Sequence, residues 1–184
     1  MSLHSSDGAF LLCLDLQPAF LNAMAGGARA LRRCAFAIEA AQVLGVPVAF
    51  TEQVPQKLGG TAPELLALAG RCPVWGKTAF SALADDGIRD ALRQRTVKHL
   101  ILCGLETPVC IYQTAIAALD APYQVTVLMD AVTARRDEDA QAALAALAQA
   151  GVKVLAAETV FYARLHDAMH PFFKTYTQLV KKYA

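Results

Sequence analysis

The chain has 184 residues, 55% of them hydrophobic, and its 17 basic and 16 acidic side chains leave a formal charge of +1 with no long run of either sign. That length suits one domain, residues 1–184, with a sizeable core, and the charge balance excludes the basic face a nucleic-acid binder needs. No apolar run approaches the roughly 18–20 residues of a bilayer-crossing helix, and the opening M-S-L-H-S-S-D-G lacks a secretory leader's basic and apolar regions, so a cytoplasmic protein without a membrane partner is expected. In chain order, F-L-L-C-L at 10–14 predicts a strand buried on both faces, and residues 28–44 predict a helix stopped by Gly45. V-P-V-A-F-T at 46–51 predicts a second strand, followed by an irregular Gly- and Pro-containing stretch to residue 63 and a short helix over 64–69. C-P-V-W at 72–75 suits a third strand, residues 86–94 a helix, and H-L-I-L-C at 99–103 a fourth strand. A helix is expected over 108–119, a strand over 124–128, a helix capped by Asp137 and ended by Gly151, a last strand over 152–155, and a mostly helical C-terminus.

Six strands with intervening helices predict an α/β protein, a three-layer αβα sandwich around a parallel sheet. Ligands of such sheets bind beyond the carboxyl ends of the strands, which selects the residues after Leu14, Phe50, Cys103 and Leu128 and those around Trp75. The five cysteines (Cys13, Cys34, Cys72, Cys103, Cys110) are odd in number, without C-x-x-C spacing, and mostly inside apolar segments. A disulfide framework or zinc knuckle is therefore not expected.

Three residues at these edges carry chemistry. Asp15, in L-D-L-Q, follows the first buried strand, where a carboxylate needs a compensating cation. Lys77 lies in W-G-K-T-A-F-S between Trp75 and Phe80, and partial burial there calls for a carboxylate partner. Cys110 lies in G-L-E-T-P-V-C, where Thr107 is expected as N-cap and Pro108 as first helical residue, placing the thiol in the first turn. The helix dipole there favours thiolate, and backbone N–H groups can hold an oxyanion. Together these residues suit nucleophilic catalysis, with Asp15 taking the thiol proton, Lys77 holding the carboxylate and Cys110 attacking.

At L-D-L-Q-P-A-F (Asp15), G-K-T-A-F-S (Lys77) and G-L-E-T-P-V-C (Cys110) the sequence resembles the isochorismatase-like superfamily of cysteine hydrolases. T-E-Q-V-P-Q-K-L-G-G-T-A-P-E-L (51–65) and D-A-M-H-P-F-F-K (167–174) are similar to its isochorismatase domain-containing branch. The resemblance implies a six-stranded sheet of order 3-2-1-4-5-6 and an Asp15/Lys77/Cys110 triad. It further implies a cis peptide at Leu105–Glu106, an oxyanion hole made by the backbone N–H groups of Glu106 and Cys110, and a homo-oligomer. Nicotinamidases of the superfamily carry a metal site on D-x-H after the second strand; here that run is T-E-Q-V-P, so no metal and no cofactor are expected. Siderophore-pathway isochorismatases lack the cysteine, so Cys110 points to acyl chemistry: hydrolysis of an amide or related small molecule through a thioester. A non-catalytic oligomeric binding module that kept the fold is the competing reading.

Gln17, Phe20, Glu52, Gln53 and Trp75 are the candidate substrate-binding walls. Asp130 and Arg135, after the fifth strand, suit a salt bridge fixing their loop. His166 and His170 are four apart on an expected helix but have no third ligand in view, and Gly26-Gly27 is not part of a phosphate-binding phrase.

Overall fold

The computed structural model describes residues 8–184; the N-terminal segment containing His4, read above for a leader, lies outside the described residues. Its strands are β1 (Ala9–Leu14), β2 (Val48–Gln53), β3 (Val74–Lys77), β4 (His99–Gly104), β5 (Gln124–Val132) and β6 (Lys153–Leu155). The helices are α1 (Pro18–Leu21), α2 (Gly27–Val43), α3 (Pro55–Leu58), α4 (Pro63–Ala69), α5 (Asp86–Gln94), α6 (Tyr112–Leu119), α7 (Asp137–Gln149), α8 (Ala157–Leu165) and α9 (Phe173–Tyr183). A 3-10 turn spans Ala82–Ala84 and a π-helical turn spans Thr107–Ile111.

The six strands form one all-parallel sheet in the order β3-β2-β1-β4-β5-β6. Because successive side chains of a strand point to opposite faces, β1 feeds two cores. Leu11 and Cys13 pack with α2, α4, α8 and α9, while Phe10, Leu12 and Leu14 pack with α5, α6 and α7. β1 lies between β2 and β4, so the strand order reverses around it, and the crevice beyond its carboxyl end is the expected ligand position. The register brings four strand ends to that crevice: Leu14 pairs with Thr51 and with Gly104, and Gln53 pairs with Lys77. Gly104 makes the close approach possible. Its φ is 118°, and a Cβ there would stand 2.0 Å from the Leu14 carbonyl oxygen.

Several local expectations are corrected. β2 begins at Val48, after Pro47, and β3 runs over Val74–Lys77 rather than 72–75, so Lys77 is the last residue of the strand. Thr107 is not a cap. The helix expected over 108–119 opens as the π-helical turn, Glu106 holds the cap position, and the Thr107 hydroxyl is buried with no partner among the described residues. Asp137 is the first residue of α7, not its cap; with Glu138 and Asp139 it places acidic groups in the first turn, where the helix dipole favours them. α8 ends at Leu165, so His166 and His170 share no helix. A Cβ on Gly27 would lie 1.9 Å from the Leu21 carbonyl oxygen, so this glycine serves close packing of α2. Among the described residues no helix is long and apolar enough to cross a membrane.

Candidate active site

The three edge residues converge. Asp15, at 1% exposure, has a left-handed backbone with φ 55°, a conformation that aspartate tolerates better than most residues. Strand alternation alone would aim it to the face of Leu11 and Cys13. The left-handed turn takes it out of that alternation, toward groups that pack on the Cys110 side. Its Oδ1 accepts a hydrogen bond from the Thr51 hydroxyl at 2.8 Å, and its Oδ2 pairs with Lys77 Nζ at 2.8 Å. Lys77, 3% exposed, also donates to Gln53 Oε1 and to the Ala79 carbonyl at 3.3 Å. A buried ammonium thus meets one carboxylate and two further acceptors, the company a buried cation needs.

Cys110 Sγ is 3.7 Å from Lys77 Nζ. Burial pushes the Cys110 thiol up to about 12, the Asp15 charge and the hydrogen bond to Asp15 add to this, and Lys77 and the Glu106 backbone N–H only partly offset it. The expected preference for thiolate is therefore not found. Desolvation and the neighbouring Asp15 carboxylate outweigh the helix-turn position, leaving a neutral thiol. The Leu105–Glu106 peptide is cis, as the resemblance implied. Beyond its interaction with the Cys110 sulfur, the Glu106 N–H has no partner among the described residues. The loop is tied to the start of the next one by a bond from Thr107 N to the Thr133 carbonyl at 3.0 Å.

A cavity of about 70 Å³ opens on the thiol, lined by Asp15, Phe20, Gln53, Phe80, Glu106, Val109 and Cys110. Of the five expected walls, only Phe20 and Gln53 face it. The Gln17 amide is occupied by backbone: it donates to the carbonyls of Gln53 at 3.1 Å and Gly59 at 2.6 Å, and accepts from Gln53 N at 2.7 Å. Glu52 turns to Thr61, accepting from its N–H and its hydroxyl. Trp75 shares the Lys77 face of β3 but lies two residues back, about 6–7 Å below the strand end. There it stacks on Phe10 at 6.4 Å. Phe80, three residues beyond the strand and 53% exposed, takes the wall position instead. Thr51, which orients Asp15, was missed: at the start of an apolar-to-polar transition its hydroxyl gives no signal in one dimension. Asp130 and Arg135 do not pair with each other. Asp130 holds Arg33 and the N–H of Ala157, and Arg135 holds Glu106. A depression of about 570 Å³ between Leu44 and the 164–172 segment shares no lining residue with the thiol cavity. Among the described residues no three His, Cys, Asp or Glu side chains gather as a metal site.

Sheet order, flanking helices and the Asp15/Lys77/Cys110 cluster together define an isochorismatase-like hydrolase fold. Residues 9–159 match the isochorismatase domain, and the chain belongs to that family. It is 40% identical over 146 residues to isochorismatase domain-containing protein 2 of Bos taurus, covering 79% of this chain and 70% of that one. Among solved structures, the MAR1 ribonuclease of Caenorhabditis elegans superposes with a TM-score of 0.90 at 30% identity, covering 96% of this chain and 91% of the other. The YcaC gene product of Escherichia coli, an octameric hydrolase of unknown specificity, shares the fold with a TM-score of 0.84 at 20% identity, over 97% of this chain and 95% of that one.

Proposed function

We propose that the protein is a cysteine-dependent hydrolase that cleaves an amide or related acyl bond of a small molecule through a Cys110 thioester. The observation that carries this reading is Lys77 Nζ standing 2.8 Å from Asp15 Oδ2 and 3.7 Å from Cys110 Sγ, directly behind a cavity that Asp15 and Cys110 line. With the thiol neutral at rest, deprotonation accompanies attack. Sγ bonds to the carbonyl carbon as Asp15 takes the S–H proton, and the carbonyl π pair moves to oxygen, held by the N–H groups of Glu106 and Cys110. Collapse breaks the C–N bond, and the amine leaves with the proton from Asp15. Water then attacks the thioester, Asp15 takes its proton, and the proton returns to sulfur as the acid departs. Lys77 stays protonated throughout and holds Asp15 in place.

The test is a panel of small amides with wild type and Cys110→Ala. Turnover is expected with the first and lost with the second; full turnover by Cys110→Ala would sink the mechanism. Asp15→Asn discriminates further. Removing its charge lowers the thiol pKa, so iodoacetamide alkylation quickens, whereas loss of the base slows acylation by a p-nitrophenyl ester. Acceleration of both reactions would favour the non-catalytic binding module, the reading that the high-lying thiol supports.

The proposal includes a cytoplasmic homo-oligomer working without nucleic acid, membrane or cofactor. Assembly is supported by the octameric Escherichia coli protein with the same fold. The ribonuclease name of the Caenorhabditis elegans relative raises RNA as a substrate, but a net charge of +1 without a basic run offers little to a phosphate backbone. RNA binding that weakens steeply with salt would overturn that part.

A further inference from the structure

Glu106 presents two opposed groups to the same place. Its backbone N–H faces the Cys110 sulfur, while its side chain, 14% exposed, carries a carboxylate on a residue that lines the thiol cavity. The same residue also lines a neighbouring groove of about 520 Å³, with Pro108, Val109, Arg135, Arg136 and Asp139. A carboxylate borne by the residue whose N–H would hold an oxyanion opposes the very charge that hole must accept, because like charges near a protein surface repel. Arg135 answers it. Glu106 Oε1 accepts from Arg135 Nε at 2.6 Å and from the Arg135 backbone N–H at 3.2 Å.

An ion pair with one partner 71% exposed contributes little to folding stability. Its placement gives it another use. We propose that Arg135 is a positioning residue for the acyl chemistry: it fixes and neutralises the Glu106 carboxylate, so that the adjacent N–H can stabilise a substrate oxygen as it becomes an anion. This inference rests on the reading of Cys110 and the Glu106 N–H given above. The backbone of the loop has a separate tie, the Thr107 N to Thr133 O bond, so removing the guanidinium chiefly uncovers charge.

Acrylamide addition to Cys110 reads this effect without knowledge of the natural substrate. Sγ bonds to the terminal alkene carbon and the C=C π pair shifts to place negative charge on the amide oxygen. The S–H proton goes to Asp15 and then to the carbon next to the carbonyl. Iodoacetamide is the control, since its displacement of iodide builds no such charge on oxygen. With intact-mass kinetics on the full chain, Arg135→Ala is expected to slow acrylamide addition about 10–100-fold, less than or comparable to losing one hole donor. Iodoacetamide rates should change less than about threefold on the same argument, because no oxyanion forms. Arg135→Lys should recover most of the rate, and Arg135→Ala combined with Glu106→Gln should return to the rate of Glu106→Gln alone. An unchanged acrylamide rate in Arg135→Ala overturns the proposal, as does a double variant that stays slow, which would mean lost geometry rather than exposed charge. Wild type that labels at Cys110 with neither reagent would refute the nucleophile itself, and this inference with it.

Discussion

The two edges of the sheet handle buried ionisable groups in opposite ways. At the carboxyl edge the Lys77 ammonium is paired, with Asp15, Gln53 and the Ala79 carbonyl around it. At the amino edge His99, also buried, hydrogen-bonds Thr126 at 2.8 Å, and desolvation, followed by the charges of Arg164 and Lys153, lowers it to about 4. One edge pays for a charge by pairing it, and the other discharges its imidazole. A charged pair beside a thiol is a device for moving protons; a neutral histidine under the sheet is packing. The same burial thus has a chemical outcome at one end only, which is where the glycine-permitted approach of β4 to β1 brings the strand ends together.

The largest test of this contrast is Lys77→Ala. It leaves Asp15 buried with the Thr51 hydroxyl and the Cys110 thiol but no compensating cation, and breaking such a pair from one side costs about 3–5 kcal/mol. Urea denaturation at neutral pH should show that loss, together with loss of any amide turnover. A stability within about 1 kcal/mol of wild type would mean that water already reaches Asp15 and that the pair is not the closed unit described.

The opposite edge makes a prediction in pH. An unfolded His99 titrates near about 6.5, and the folded one near 4. Between these values the unfolded chain binds the extra proton, so stability is full above that window and is lost as pH falls through it. The loss attributable to His99 approaches about 3 kcal/mol by pH 4, from about 1.4 kcal/mol per pKa unit. His99→Gln, which retains a hydrogen-bonding group for Thr126, should flatten stability between pH 6.5 and 4. An equally steep acid loss in the variant would assign it to carboxylates elsewhere.

That contrast also explains what was legible in one dimension. The apolar runs of β1 and of β4 after His99 announced a doubly covered parallel sheet; a polar residue directly after an apolar run marked Asp15, and the glycine, threonine and proline of G-L-E-T-P-V-C marked the Cys110 loop. Lys77 was visible through its aromatic neighbours. The neighbours themselves were misassigned: Trp75 rather than Phe80 was expected at the cavity, because nothing local states that β3 ends at Lys77 and leaves Trp75 inside the sheet. Gln17 and Glu52 looked like free polar groups, yet their partners are backbone groups and a threonine up to 42 residues away. The direction of the Cys110 shift was missed for a related reason. A helix-start position is read from five residues, whereas desolvation and the Asp15 charge come from the folded surroundings.

The smallest expected effect sharpens the site's own boundary. Arg136 stands next to Arg135 and pairs with Asp139 at 2.7 Å, with the two side chains 75% and 42% exposed. The pair lies three residues apart at the start of α7, remote from the Glu106 carboxylate's own bonds, and an exposed pair of this kind contributes below about 0.5 kcal/mol. Arg136→Ala should therefore leave both the urea midpoint and the acrylamide rate at Cys110 near wild type while Arg135→Ala slows the latter. Two adjacent arginines in one groove then part by the company they keep. If Arg136→Ala slowed addition as much as Arg135→Ala, the groove would be acting through its summed positive potential. The specific neutralisation of Glu106 would then no longer account for the difference between a surface ion pair and one that borders the reacting atoms.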